Sequence, residues 1–166
     1  MKRLMPLFLI VFLFTFSGYA SAYDIRINAN IPLAEKISGI SINPETGTAL
    51  AAGNETKSLY LIDTLTNAVI KKIPLNIIHS ELAEPTGVAV YAKKNQALVS
   101  SEDGTLYFID LSTGNPVKTI NTGRTIHAIA INKDSDMLYI GNSNSLVAMD
   151  LTIEKTVKER LSTDSK

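Results

Sequence analysis

From Gly39 onward, apolar residues come in short runs of strand length, separated by clusters rich in Gly, Asn, Asp, Ser, Thr and Pro. The best-formed set reads Thr86-Gly87-Val88-Ala89-Val90, Ala97-Leu98-Val99-Ser100, Thr105-Leu106-Tyr107-Phe108-Ile109-Asp110 and Pro116-Val117-Lys118-Thr119-Ile120. A weaker copy precedes it, with Gly39-Ile40-Ser41-Ile42, Thr48 to Ala52, Ser58 to Asp63 and Ala68 to Ile73. A third follows, with Ala128 to Ile131, Met137 to Asn142, Leu146 to Asp150 and Lys155 to Val157 extending to Lys158. Apolar runs this short, bounded by residues that favour turns for backbone reasons, predict four antiparallel strands per unit joined by tight turns.

Alignment of the units puts Leu50, Leu98 and Leu138 in one column and Asp63, Asp110 and Asp150 in another, at spacings of 47 and 40 residues. A period of about 40 to 45 residues with four strands per unit predicts β-propeller blades rather than helical repeats. The first strand of each unit alternates large with small residues: Ile40 and Ile42 around Ser41, Val88 and Val90 around Ala89, Ile129 and Ile131 around Ala130. Innermost propeller strands crowd near the axis, and that alternation fits the taper. The strict alternation of Asp24 to Ile31 predicts one leading strand that Pro32 ends. The expected fold is therefore all-β: three four-stranded antiparallel blades, at about 39–75, 86–123 and 127–161, plus one leading strand and a polar tail at 162–166. Closed propellers have about four to eight blades. Three form an incomplete ring, so the chain is expected to close it as a homo-oligomer, to be a fragment of a larger propeller, or to dock as an open arc on another protein.

The units resemble the YVTN family of β-propeller repeats, which is related in fold to the lactonase and amine dehydrogenase propellers. Pro85-Thr86-Gly87-Val88-Ala89-Val90 is similar to the family's opening, Leu138-Tyr139-Ile140-Gly141-Asn142 to its second strand, and Leu59 to Thr64 and Leu106 to Leu111 to its third. Val117-Lys118-Thr119-Ile120-Asn121-Thr122-Gly123 is similar to its ending. Blade one has Ala51-Ala52-Gly53-Asn54, and blade two Val99-Ser100-Ser101-Glu102, where the eponymous motif would stand. The resemblance spans about Ile25 to Leu161. It implies an exported propeller acting as a non-enzymatic binding or scaffold module, with a lactonase-like or amine dehydrogenase-like enzyme as the alternative.

Composition changes this picture mainly at the start. Of 166 residues, 45% are hydrophobic and 19% charged, as in a globular protein. Lys2 and Arg3 precede an apolar run from Leu7 to Phe16 and then Ala20-Ser21-Ala22, which predicts a signal peptide over 1–22, cut after Ala22, and a periplasmic or secreted protein. The apolar run is shorter than the roughly 20 residues of a spanning helix, so no stable membrane anchor is expected after cleavage. Cleavage leaves 14 basic and 16 acidic residues, with no basic stripe, and no nucleic acid partner is expected. Cysteine is absent, so packing and strand pairing must hold the fold.

Candidate chemistry is sparse. Asp63, Asp110 and Asp150 recur before a turn, where a carboxylate accepts backbone N–H bonds, and are read as structural. Residues that break the repeat are better functional candidates. The link between blades one and two is extended and carries His79, Glu81 and Glu84, a potential cation or partner site, although Ile77, Ile78 and Leu82 also suit a loop packed on the rim. His127 stands where the other units have Ser38 and Thr86, and is expected at the channel mouth. Glu102, Asp103 and Gly104 read as a hairpin turn. No nucleophile elbow, zinc motif, phosphate loop or cofactor fingerprint is present, so no catalytic residue, metal or cofactor is assigned. A protein, glycan or surface partner is the expected ligand.

Overall fold

A computed structural model describes residues 26–75 and 84–153. Eleven strands in three antiparallel sheets occupy them. Blade 1 is β1 (Ile37–Asn43), β2 (Thr48–Gly53), β3 (Ser58–Asp63) and β4 (Val69–Pro74); blade 2 is β5 (Pro85–Tyr91), β6 (Gln96–Ser101), β7 (Thr105–Asp110) and β8 (Pro116–Asn121). Blade 3 shows β9 (Ala128–Asn132), β10 (Met137–Gly141) and β11 (Leu146–Asp150); its expected fourth strand lies outside the described residues. Each sheet is a meander in sequence order, and one 3-10 turn, Ala92–Lys94, joins β5 to β6. Residues 31 onward belong to one unit, and 26–30 to another. Among the described residues no helix is long and apolar enough to cross a membrane.

The turns explain why the strands stop where they do. Gly47, Asn95 and Asp136, each just before the second strand of its blade, adopt φ of 62°, 51° and 53°. Glycine and short polar residues tolerate this left-handed region best. Their carbonyls accept from the amides of Thr64, Leu111 and Leu151 at 2.9, 3.0 and 2.9 Å, tying each first turn to the end of the third strand.

Packing follows the pleat, which sends alternate side chains to opposite sheet faces. Toward the next blade, blade 1 presents Leu50, Ala52, Leu59, Leu61 and Ile73, which meet Val88, Ala97, Val99, Tyr107 and Ile109 of blade 2 in one buried cluster. Blade 2 repeats the arrangement with Leu98, Leu106 and Phe108 against Ile126, Leu138 and Ile140. Inner strands β1, β5 and β9 lie side by side. A Cβ on Gly39 would stand 2.9 Å from Gly87 Cα and from Val88 N, so glycine there permits the approach of the two backbones.

Two details differ from the sequence expectation. Strand register pairs Leu50 with Ser41, Leu98 with Ala89 and Tyr139 with Ala130, so the third member of the leucine column is Tyr139 and not Leu138. Leu138 lies one residue away and therefore on the opposite face, packed toward blade 2, because a one-residue step in a strand reverses the side chain. The described part of the expected leading strand, 26–31, holds no strand. Alternation states which side chains would share a face, not that a sheet edge is at hand. Ile31 and Leu33, with Ile37, pack as side chains over Ala51, Tyr60 and Ile62, making residues 31–37 a strap across the face of blade 1 that turns away from blade 2.

Candidate functional site

The second-to-third-strand turns and the links entering each inner strand share one rim of the blades, and Glu84 and His127 lie there. Glu84 is exposed; its carboxylate accepts from Asn54 Nδ2 at 3.4 Å and its carbonyl from the amide of Glu102 at 3.0 Å. His79 and Glu81 lie outside the described residues. His127 is exposed at the entry to β9, with its amide donating to Gly141 O at 2.9 Å and Nε2 at 3.1 Å from Ser143 Oγ. Its repeat equivalents make the same kind of local bond: Ser38 Oγ donates to Ala52 O at 3.2 Å, and Thr86 Oγ1 lies 3.0 Å from Ser100 Oγ. Among the described residues no group of three His, Asp or Glu side chains converges as a metal site would.

The recurring aspartates hold turns at the opposite rim. Asp63 Oδ1 accepts from the amides of Leu65 and Thr66 at 2.9 and 2.7 Å and from Thr66 Oγ1 at 2.9 Å. Asp110 Oδ1 accepts from Thr113 N at 2.8 Å and its hydroxyl at 3.1 Å, and Asp150 Oδ1 from Thr152 N at 2.8 Å and its hydroxyl at 2.6 Å. Thr66 and Thr113, chiefly through their amides, and Thr152, chiefly through its hydroxyl, hold the three carboxyls below the usual aspartate value.

Sequence reasoning missed a carboxylate at the strap. Glu35 accepts from Thr56 N at 3.0 Å, from Thr56 Oγ1 at 2.6 Å and from the Tyr60 hydroxyl. Burial alone would raise its pKa, but these bonds, led by the Thr56 hydroxyl, together with Lys72, hold it below the usual glutamate value. Lys72 Nζ stands 5.0 Å from the Tyr60 ring centroid, and Gly53 leaves the space into which the carboxylate fits. Nothing local in the sequence marks Glu35, since its partners are 21 and 25 residues away.

Two clefts accompany these features. One, of about 300 Å³, runs along the inner strands between Ile40, Ile42, Val90, Ile131, Glu45 and Lys133. The other, of about 420 Å³, lies between blades 2 and 3 and includes Arg124 and Asn142 in its lining.

No family model matches the chain, and no curated protein matches it. Among solved structures it is similar to Kuenenia stuttgartiensis hydrazine synthase, with a TM-score of 0.58 and 17% sequence identity, over 81% of this chain and 37% of that one. The chain has a propeller-like fold. At that identity the likeness concerns architecture alone, and 1020 solved chains match, so the architecture is widespread and carries no activity with it. The chain spans 37% of the length of the hydrazine synthase chain.

Proposed function

We propose that the chain is an exported YVTN-type propeller module, non-enzymatic, which binds through its lateral blade faces and associates with a second copy of itself. The observation that carries this reading is the exposure of surface that the repeat elsewhere buries. Val88 is 4% exposed where blade 2 meets blade 1, whereas its equivalent in blade 1, Ile40, is 74% exposed and Ile42 61%. Blade 3 presents the reciprocal face, with Ala128, Ala130, Leu146 and Ala148 exposed. Large inner-strand residues pack over small ones at both existing blade seams. Repeating that operation sets Ile40 and Ile42 of one copy over Ala128 and Ala130 of another, continuous with an interface the chain already uses twice. The strap covers the outer part of the blade 1 face, so the contact is confined to the inner strands.

The test is the mass of the mature chain from Tyr23 by light scattering, together with Ile42→Lys and Ala130→Arg. The reading expects a dimer that either substitution reduces to monomer. A wild-type monomer at every concentration would overturn it. The same open faces favour a second reading, a portion of a larger ring, and folded material that associates only with a separately supplied set of blades would select it. In this reading the chain works outside the cytoplasm, and the N-terminal mass of the exported protein tests cleavage after Ala22.

A further inference from the structure

The third blade departs from the other two in one column of its third strand. Tyr60 pairs with Ala51, Tyr107 with Val99 and Val147 with Ile140, which gives the three residues one register position. Tyr107 is 4% exposed and fills the seam between blades 1 and 2. Val147 lacks the phenol ring, is 41% exposed, and borders the cleft of about 420 Å³ between β8 and blade 3. That volume falls within the range of small-molecule sites, roughly 300–1,000 Å³, which combine apolar walls with a few placed polar groups.

The walls are Ile120, Ile140, Val147 and Met149, and the polar groups include Arg124 and Asn142. Arg124 is exposed, and its guanidinium makes no hydrogen bond or ion pair among the described residues. Among the described residues Asn142 Oδ1 is buried and lacks a hydrogen-bond partner. At the same register the other blades have Gly53, without a side chain, and Ser101, whose hydroxyl is engaged by Asp103 at 2.5 Å and by Thr105 O at 3.1 Å. A buried acceptor without a donor is destabilising, and an incoming N–H relieves it. Among the described residues, the cleft therefore offers an apolar wall, an acceptor in need of a donor, and a cation without a partner.

We propose that this cleft binds an apolar group bearing an amide N–H and a carboxylate, the chemistry shared by N-acylated amino acids and by the free C-terminus of an apolar peptide. The alkyl portion covers Ile120, Ile140, Val147 and Met149, the N–H donates to Asn142 Oδ1, and the carboxylate faces Arg124. The site depends on Val147 standing in a tyrosine column and is independent of the association between copies.

Calorimetric titration of the full mature chain tests it, with N-octanoylglycine and acetyl-Leu-Leu as the two sources and their C-terminal amides as controls. Saturable binding of at least one free acid is expected, weakened at least about tenfold by amidation or by Arg124→Gln, as loss of a charge-assisted contact implies. Val147→Tyr, which restores the residue of the other blades, should abolish binding while leaving the melting temperature equal or higher. Absence of saturable binding by both acids, or binding unchanged in Arg124→Gln, overturns the proposal. Arg124 is exposed, so its variant remains decisive if Val147→Tyr fails to fold. Association that fails while the free acid still binds leaves this site standing and removes the copy interface alone.

Discussion

Glu35→Ala should release the strap from blade 1. In the wild type the carboxylate accepts three hydrogen bonds, from Thr56 N, Thr56 Oγ1 and the Tyr60 hydroxyl. A bond to a charged group contributes about 1.5–3 kcal/mol when well buried. Glu35 is half-buried and its donors regain water when it is removed, so the sum is discounted to about 2 kcal/mol. The apolar contacts of Ile31, Leu33 and Ile37 remain, which makes the expected effect a local opening rather than collapse. At about 1.4 kcal/mol per tenfold, hydrogen exchange in residues 31–37 should accelerate by roughly 30-fold, while exchange in β6 and β7 changes little. Tyr60→Phe, which removes one donor of the three, should give a smaller increase in the same segment. Exchange mass spectrometry resolves both. Strap exchange within twofold of wild type in Glu35→Ala would show that side-chain packing alone holds residues 31–37 and that the carboxylate contributes nothing there.

Gly39→Ala should destabilise the chain by about 1–3 kcal/mol, because its Cβ would meet the backbone of Gly87 and Val88 at 2.9 Å and no flexible side chain can yield; urea denaturation measures it. Stability should also fall in acid. The carboxyls of Asp63, Asp110, Asp150 and Glu35 are all held below their ordinary values of 3.8 and 4.5, so their contribution is present above those values and is lost as pH drops through the lowered ones. Replacing the three aspartates by asparagine should flatten the urea midpoint against pH below about pH 4, and an unchanged acid slope would contradict the turn assignment.

The blades were legible because each depends on local signals: short apolar runs, turn residues at fixed offsets, and an aspartate that caps a turn two or three residues away. The third-strand aspartates align in the observed register, pairing with Thr48, Gln96 and Met137 at the ends of the strands. The leucine column slipped by one residue because Leu138 and Tyr139 are both apolar, and strand pairing alone decides which faces which blade. The strap and Glu35 were not legible because their contacts join residues far apart in sequence, and an alternating segment reads the same whether it pairs with an edge or lies across a face. The cleft beneath Val147 escaped for a related reason. Its signal is a missing ring in a column, and the column becomes visible only after the register is known.

The close approach at Gly39 also bears on how far two neighbouring blades splay. At the first seam a Cβ on Gly39 would stand 2.9 Å from the backbone of blade 2; at the second, a Cβ on the corresponding Gly87 would stand 3.1 Å from Ser100 Oγ of its own blade and 3.6 and 3.7 Å from Ile129 Cγ1 and N of blade 3. Closer inner edges splay two blades through a wider angle when their outer packing is fixed, and a wider angle closes a circle with fewer blades. The third position in the column is Ala128, whose methyl group is exposed. The volume of one side chain per repeat, read along Gly39, Gly87 and Ala128, is thus expected to affect how widely neighbouring blades splay.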